Sequence, residues 1–182
     1  MIKHPLIRHP GTPCAAITSI QIEARRPGPG LLALRYRLLG DIARLWLPDH
    51  AVVAERQDFL WKRTCMEVFI QTPGRQSYTE FNLSPSTHWA AYSFSDYRVS
   101  LDPPTVAVPT IITTAAPDVF ELRADLDLGA LEARDAPWRL SLTTVVEESH
   151  GAVSYWALKH AMGKPEFHDA ATFVLDLALE TT

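Results

Sequence analysis

Hydrophobic and polar positions alternate along most of this chain. Between Ala16 and Arg26, Ile20 and Ile22 share one parity, while Ser19, Gln21 and Glu23 share the other. That period of two places successive side chains on opposite faces of a strand. Strand-like runs follow at Leu31–Asp41 and Ile42–Pro48, with Gly40-Asp41 read as the turn between them. Further runs are "HWAAYSF", "TIITTA", "VFELRADLD", "WRLSLTTVVEE", "VSYWALKH" and "TFVLDLAL". "SLDPPTVAVP" carries too much proline for a central strand and reads as a loop. With the hairpin described below, roughly ten strands separated by turn signals predict an all-β fold, an antiparallel β-sandwich or barrel. Long helical periodicity is absent. "LGALEARDA", Leu128 to Ala136, is the one short helix the pattern allows.

The most informative run is "CMEVFIQTPGRQSYTEFNLSP", Cys65 to Pro85. It predicts two strands joined by a tight turn at "PGRQ". One face then holds Met66, Val68, Ile70, Thr79, Phe81 and Leu83, an ordinary core face. With Thr72 opposite Ser77, Phe69 faces Glu80, Glu67 faces Asn82 and Gln71 faces Tyr78. Opposed residues share a face, so carboxylates, amides and aromatics form one contiguous patch, with Glu67 and Glu80 diagonal to each other. A solvated sheet face is also polar. This one, however, has no Lys or Arg within its strands to neutralise the glutamates, and aromatic rings stand among them. Acceptors, amides and rings together suit a hydroxyl-rich ligand.

Neighbouring segments add candidates. Trp89 and Tyr92 differ by an odd number and so point to opposite faces of one strand. A four-residue "SPST" loop puts Trp89 on the polar patch, and a three-residue loop puts Tyr92 there. Trp61 and Lys62 lie at a loop-to-strand corner, where a ring can stack on a ligand while a cation bonds its oxygens, or where the Trp seals the sandwich end. Lys159 would compensate Glu67 or Glu80 if its strand neighboured the hairpin. Arg98 either reaches the ligand or pairs with Asp96. His160, Met162 and His168 raise a metal or haem site, but their spacing matches no zinc pattern.

Composition narrows the class. The 182 residues suit one domain, 1–182, and 47% hydrophobic residues suffice for a core. A net charge of −4 gives no reason to expect nucleic acid as a partner. No apolar run is long enough to span a membrane, and "MIKHPLIRHPGTP" has no apolar signal region, so a cytoplasmic location is expected. Cys14 and Cys65 read as reduced thiols, since this is not a disulfide-dense scaffold. An exposed edge strand would invite a homodimer.

Three motifs in order, W-K-x-T-C-x-E-x-F-I, E-F-N-x-S-P and W-A-A-Y-x-F-x-x-Y-R, together with "YWALKHAMGKPEFH", give the chain a resemblance over roughly Leu60 to Phe173. It resembles the DOMON-like proteins of the DOMON and family 9 carbohydrate-binding module superfamily. The resemblance implies a jelly-roll β-sandwich that binds sugars or haem in a pocket on one sheet. Carried over by motif, it marks Glu67, Glu80, Asn82, Trp89, Tyr92, Tyr97 and Arg98. Haem-binding members use Met and His as axial ligands. Here Met66 falls on the apolar face, and no Met and His pair matches that pattern.

The expectation is therefore a non-catalytic ligand-binding domain without a cofactor, taking a saccharide or sugar-containing molecule. Its predicted ligand-binding residues are Trp61, Lys62, Glu67, Phe69, Tyr78, Glu80, Asn82, Trp89, Arg98 and Lys159. The alternatives are a haem-binding domain and an enzyme using Glu67 and Glu80 as acid and base on a glycosidic bond.

Overall fold

The computed structural model describes residues 3–129 and 135–180. Among these, twelve strands follow in chain order: β1 His4–Arg8, β2 Ile17–Arg25, β3 Leu31–Gly40, β4 Cys65–Gln71, β5 Tyr78–Leu83, β6 Trp89–Asp96, β7 Val99–Ser100, β8 Thr110–Ala116, β9 Val119–Asp127, β10 Trp138–Glu147, β11 Val153–Ala157 and β12 Leu175–Leu177. The strands pair in the order β7-β6-β5-β4-β10-β11-β1-β2-β3-β9-β8, with β12 added beside β10. All pairings between these strands are antiparallel.

The path folds over on itself at β1. The first half of β1 pairs with β2, as in Leu6↔Ile20, and its last residues pair with β11, as in Ile7↔Ala157. One strand thus joins two sheets, which is how a sandwich turns a corner. The front sheet is β7-β6-β5-β4-β10-β11 and the back sheet is β2-β3-β9-β8. The main core lies between them. Met66, Val68, Phe81, Leu83, Leu140 and Leu142 come from the front, and Ile20, Ile22, Leu34, Leu38, Leu122 and Leu126 from the back. The Tyr36 hydroxyl crosses this core and donates to the Glu67 backbone carbonyl at 2.7 Å, tying β3 to β4.

The period-two reading of the strands holds for nearly every long run. Ile42–Pro48 is not a strand, however. Ile42–Arg44 forms a single 3-10 turn after Gly40. A Cβ at Gly40 would lie 2.1 Å from the Ala16 carbonyl oxygen, so the chain leaves β3 through a passage that only glycine fits. The N-terminal segment supplies the hinge strand β1, and "SLDPPTVAVP" is a loop as expected, with only its first residue, Ser100, in the two-residue β7. The expected helix at Leu128–Ala136 falls largely on residues 130–134, outside the described residues.

The two outer faces differ. On the back sheet, Glu23, Arg35, Arg37, Glu121 and Arg123 interleave in ion pairs, the chemistry of a wetted face. On the front sheet the outer face is buried. The stretch Leu158–Val174 returns across it, and Phe167 and Phe173 pack with Phe69, Tyr78, Phe94 and Val145 into a second apolar cluster. Phe173 lies edge-on to Phe69 and Tyr78, with ring centroids 6.2 and 5.5 Å away. An aromatic side chain so enclosed stabilises by its own burial and by ring contacts. Truncation of Phe173 to Ala should cost about 3 kcal/mol or more of unfolding free energy in urea. A change within about 0.5 kcal/mol would mean that the returning segment is not packed on the sheet.

Candidate functional site

The hairpin register matches the sequence reading pair for pair: Glu67↔Asn82, Phe69↔Glu80 and Gln71↔Tyr78. The connection to β6 does not. It runs over five residues, Ser84–His88, closed by a Ser84 N–H to His88 carbonyl bond of 2.9 Å and by Thr87 at φ +78°. Leu83 therefore faces Trp89, Asn82 faces Ala90 and Glu80 faces Tyr92. Trp89 turns into the main core, and Tyr92 takes the place on the polar face. With β10 included, two rows cross the sheet: Ser141, Phe69, Glu80, Tyr92 and, beside it, Thr143, Glu67, Asn82, Ala90.

Both glutamates are buried, Glu67 to 2% exposure and Glu80 to 5%. Glu67 Oε2 accepts from the Thr143 hydroxyl at 2.9 Å, and Glu80 Oε1 accepts from Asn82 Nδ2 at 2.6 Å. Asn82 is itself held by the Cys65 thiol, which donates to its Oδ1 at 3.4 Å. The nearest side chain that could carry positive charge is His168, whose Nε2 stands 3.8 Å from Glu80 Oε2, beyond hydrogen-bond range.

That histidine is neutral. Its Nδ1 shares a hydrogen bond of 2.8 Å with the Tyr78 hydroxyl, which also accepts from the Arg98 backbone N–H at 3.2 Å. Burial first, then the Arg98 charge, pushes the His168 pKa down to about 4. Burial likewise raises both carboxyls: Glu80 is pushed up to about 7, and Glu67, which also feels the Glu80 charge, lies well above the usual carboxylate range.

Above these carboxylates lies a cavity of about 520 Å³. Glu67, Phe69 and Glu80 form its floor. Trp61, Tyr92, Phe94, Tyr155 and Phe167 supply aromatic walls, and Arg98, Lys164 and His168 stand around it. Arg98 is engaged in a forked pair with Glu166 at 2.9 and 3.0 Å, rather than with Asp96. Lys164 is exposed.

Of the predicted residues, Trp61, Glu67, Phe69, Glu80 and Arg98 converge on this cavity. Asn82 lies beneath it, fully buried, as the support of Glu80. Tyr78 is also beneath, stacked on Phe94 at 4.8 Å. Lys62 lies over the rings of Phe59 and Trp61 and does not line the cavity. Lys159 is exposed, beyond the end of β11, a strand separated from the hairpin by β10, so it compensates neither glutamate. Lys164 stands nearer, at the cavity wall. His160, Met162 and His168 serve separate ends: His160 Nε2 bonds the Ile7 carbonyl oxygen at 2.7 Å, and Met162 is 100% exposed. The sequence reading missed Phe94, Tyr155, Phe167 and the role of His168. The adjacent Phe167 and His168 in "KPEFH" were the available signal. Both cysteines are free thiols.

The architecture has relatives among solved structures. A protein from Bacteroides uniformis to which carbohydrate binding has been ascribed matches with a TM-score of 0.70 at 15% identity, over 98% of this chain and 86% of that one. A family 9 carbohydrate-binding module from Caldicellulosiruptor kristjanssonii, solved in complex with cellotriose, matches with a TM-score of 0.63 at 8% identity, over 98% and 84% of the two chains. The complex of a family 9 module from the same organism with glucose gives 0.61, also at 8% identity, over 97% and 85%. The chain thus has the β-sandwich fold of the family 9 carbohydrate-binding modules, the fold that its sequence motifs imply. No family model matches the sequence, and no curated protein matches it either.

The buried titrating groups set a pH dependence of stability. Glu80, with a folded pKa of about 7 against an ordinary 4.5, binds more protons folded than unfolded between those values, so its contribution falls as pH rises through that range. His168, at about 4 against 6.5, acts in the opposite sense between about 4 and 6.5. The two offset each other in mildly acidic solution. Above about pH 6.5 the glutamates act alone, and thermal melts should show Tm declining toward about pH 8. Glu80→Gln should flatten that decline. A Tm that rises over the same interval would contradict the assignment of the carboxyls as buried and uncompensated.

Proposed function

We propose that this chain is a non-catalytic saccharide-binding domain whose ligand lies in the cavity over Glu67 and Glu80. One observation carries the reading. The floor offers carboxylate oxygens that accept no hydrogen bond from the described residues, Glu67 Oε1 and Glu80 Oε2, within aromatic walls. Sugar hydroxyls donate to such acceptors, and charge-assisted bonds are the stronger kind. The C–H face of a pyranose covers an aromatic ring as an apolar surface. A cavity of about 520 Å³ falls in the ordinary range for small-ligand sites. The shared fold with carbohydrate-binding modules supports the same reading, as fold-level analogy.

Trp61 lines the cavity and remains 46% exposed, so it is placed to report occupancy. Tryptophan fluorescence titrated with glucose, cellotriose and amino sugars should show saturation with at least one of them. The response should disappear in Trp61→Ala. Affinity near about pH 8, where Glu80 is ionised, should fall about tenfold or more in Glu80→Gln, the effect of losing one bond to a charged acceptor. Recovery of the sugar unchanged separates binding from hydrolysis. A folded protein that gives no saturable response with any sugar would overturn the proposal.

A further inference from the structure

The partly buried glutamates elsewhere in the structure meet an arginine. Glu121 pairs with Arg35, Arg37 and Arg123, Glu147 with Arg63, Glu148 with Arg44, Glu166 with Arg98, and Glu23 with Arg35. Glu67 and Glu80 alone among these have no lysine or arginine within ion-pair distance among the described residues. They are also the two that line the cavity. Leaving two carboxylates together, out of water and without a countercharge, is costly.

The other charges around the cavity do not remove that deficit. From the segment after β6, Arg98 is bonded to Glu166 and acts on Glu80 only from beyond ion-pair distance, lowering its pKa less than burial raises it. From the returning segment, His168 is neutral and Lys164 is exposed, where water and salt screen it. On the Trp61 side, Asp58 is paired with Arg56 at 2.9 Å and accepts from the Tyr92 hydroxyl at 2.9 Å. The walls meanwhile present the faces and edges of Trp61, Tyr92, Phe94, Tyr155 and Phe167. Aromatic faces attract cations. An ammonium group brings three N–H donors and one positive charge, which answers both the free oxygens and the missing countercharge. A neutral hydroxyl answers only the first.

We propose that the saccharide this cavity takes carries a free protonated amine, seated between Glu67 and Glu80 with its ring against the aromatic walls. The inference rests on the saccharide reading above and narrows it to amino sugars with an unsubstituted amine. Binding and protonation of the floor then compete, because the ammonium and the proton neutralise the same oxygens.

The test is isothermal titration calorimetry of the full chain with glucosamine, N-acetylglucosamine, glucose and glucuronate. Glucosamine should bind at least about tenfold more tightly than its N-acetyl derivative, the scale of one bond to a charged acceptor. This advantage should shrink as pH falls from about 7 to about 5, where the amine stays charged while the floor carboxyls take up protons. Glu80→Gln should collapse the ratio toward one, with Glu67→Gln as a second variant should the first not fold. Equal affinity for the two amino sugars, or a pH-independent ratio, would overturn the proposal while leaving the saccharide reading intact. Tighter binding of glucuronate would overturn it in favour of Arg98 and Lys164 as the selecting groups. Binding of none of the four would sink both readings.

Discussion

The structure around the site depends on one constraint: two carboxylates are held out of water on a sheet face without a basic partner. An outer sheet face ordinarily resolves its charge with interleaved cations, and the back sheet does so through Arg35, Arg37 and Arg123 around Glu121. The front sheet resolves it otherwise. Thr143 and Asn82 each satisfy one carboxylate oxygen, and burial raises both pKa values. The remaining oxygens face a cavity. Part of that cavity's wall comes from a second apolar cluster, in which Phe167 and Phe173 of the returning segment pack on Phe69, Tyr78 and Phe94 of the sheet.

A hydrogen-bond chain runs behind the site and meets it at His168. Glu166 receives the guanidinium of Arg98 and the His168 backbone N–H, the Arg98 backbone N–H holds Tyr78, and the Tyr78 hydroxyl bonds the His168 ring at Nδ1. Each link fills a donor or an acceptor that burial would otherwise leave unpaired. The arrangement places a neutral imidazole, not a cation, beside Glu80. An imidazolium there would supply the missing charge from within the protein.

Much of this was legible in the sequence. Strict alternation in β4 and β5 and a four-residue turn set one register, and the diagonal placement of Glu67 and Glu80 followed from it. The connection to β6 was not legible. The pattern offered a loop of three or four residues, whereas the chain uses five, Ser84–His88, with Thr87 in a left-handed backbone that no periodicity encodes. That single step decides between Trp89 and Tyr92. The roof was equally hidden. A face read as polar from its own strands is buried by a segment about ninety residues further along, and "KPEFHDAATF" has no regular period to announce it. Lys159 was misplaced for a related reason: the insertion of β10 between the hairpin and β11 is a matter of topology, not of local pattern.

The central claim is physical, and side-chain carbon NMR addresses it without any ligand. The carboxyl carbons of Glu67 and Glu80 can be followed through a pH titration of the folded protein, with Glu121 as an internal reference held low by Arg35. The account expects Glu80 to titrate near 7, Glu67 to remain protonated well above the usual carboxylate range, and Glu121 to titrate below it. Ordinary titration of both floor carboxyls, near the solvated value of about 4.3, would mean that water or a cation already compensates them. The face would then be a wetted surface rather than the floor of a site.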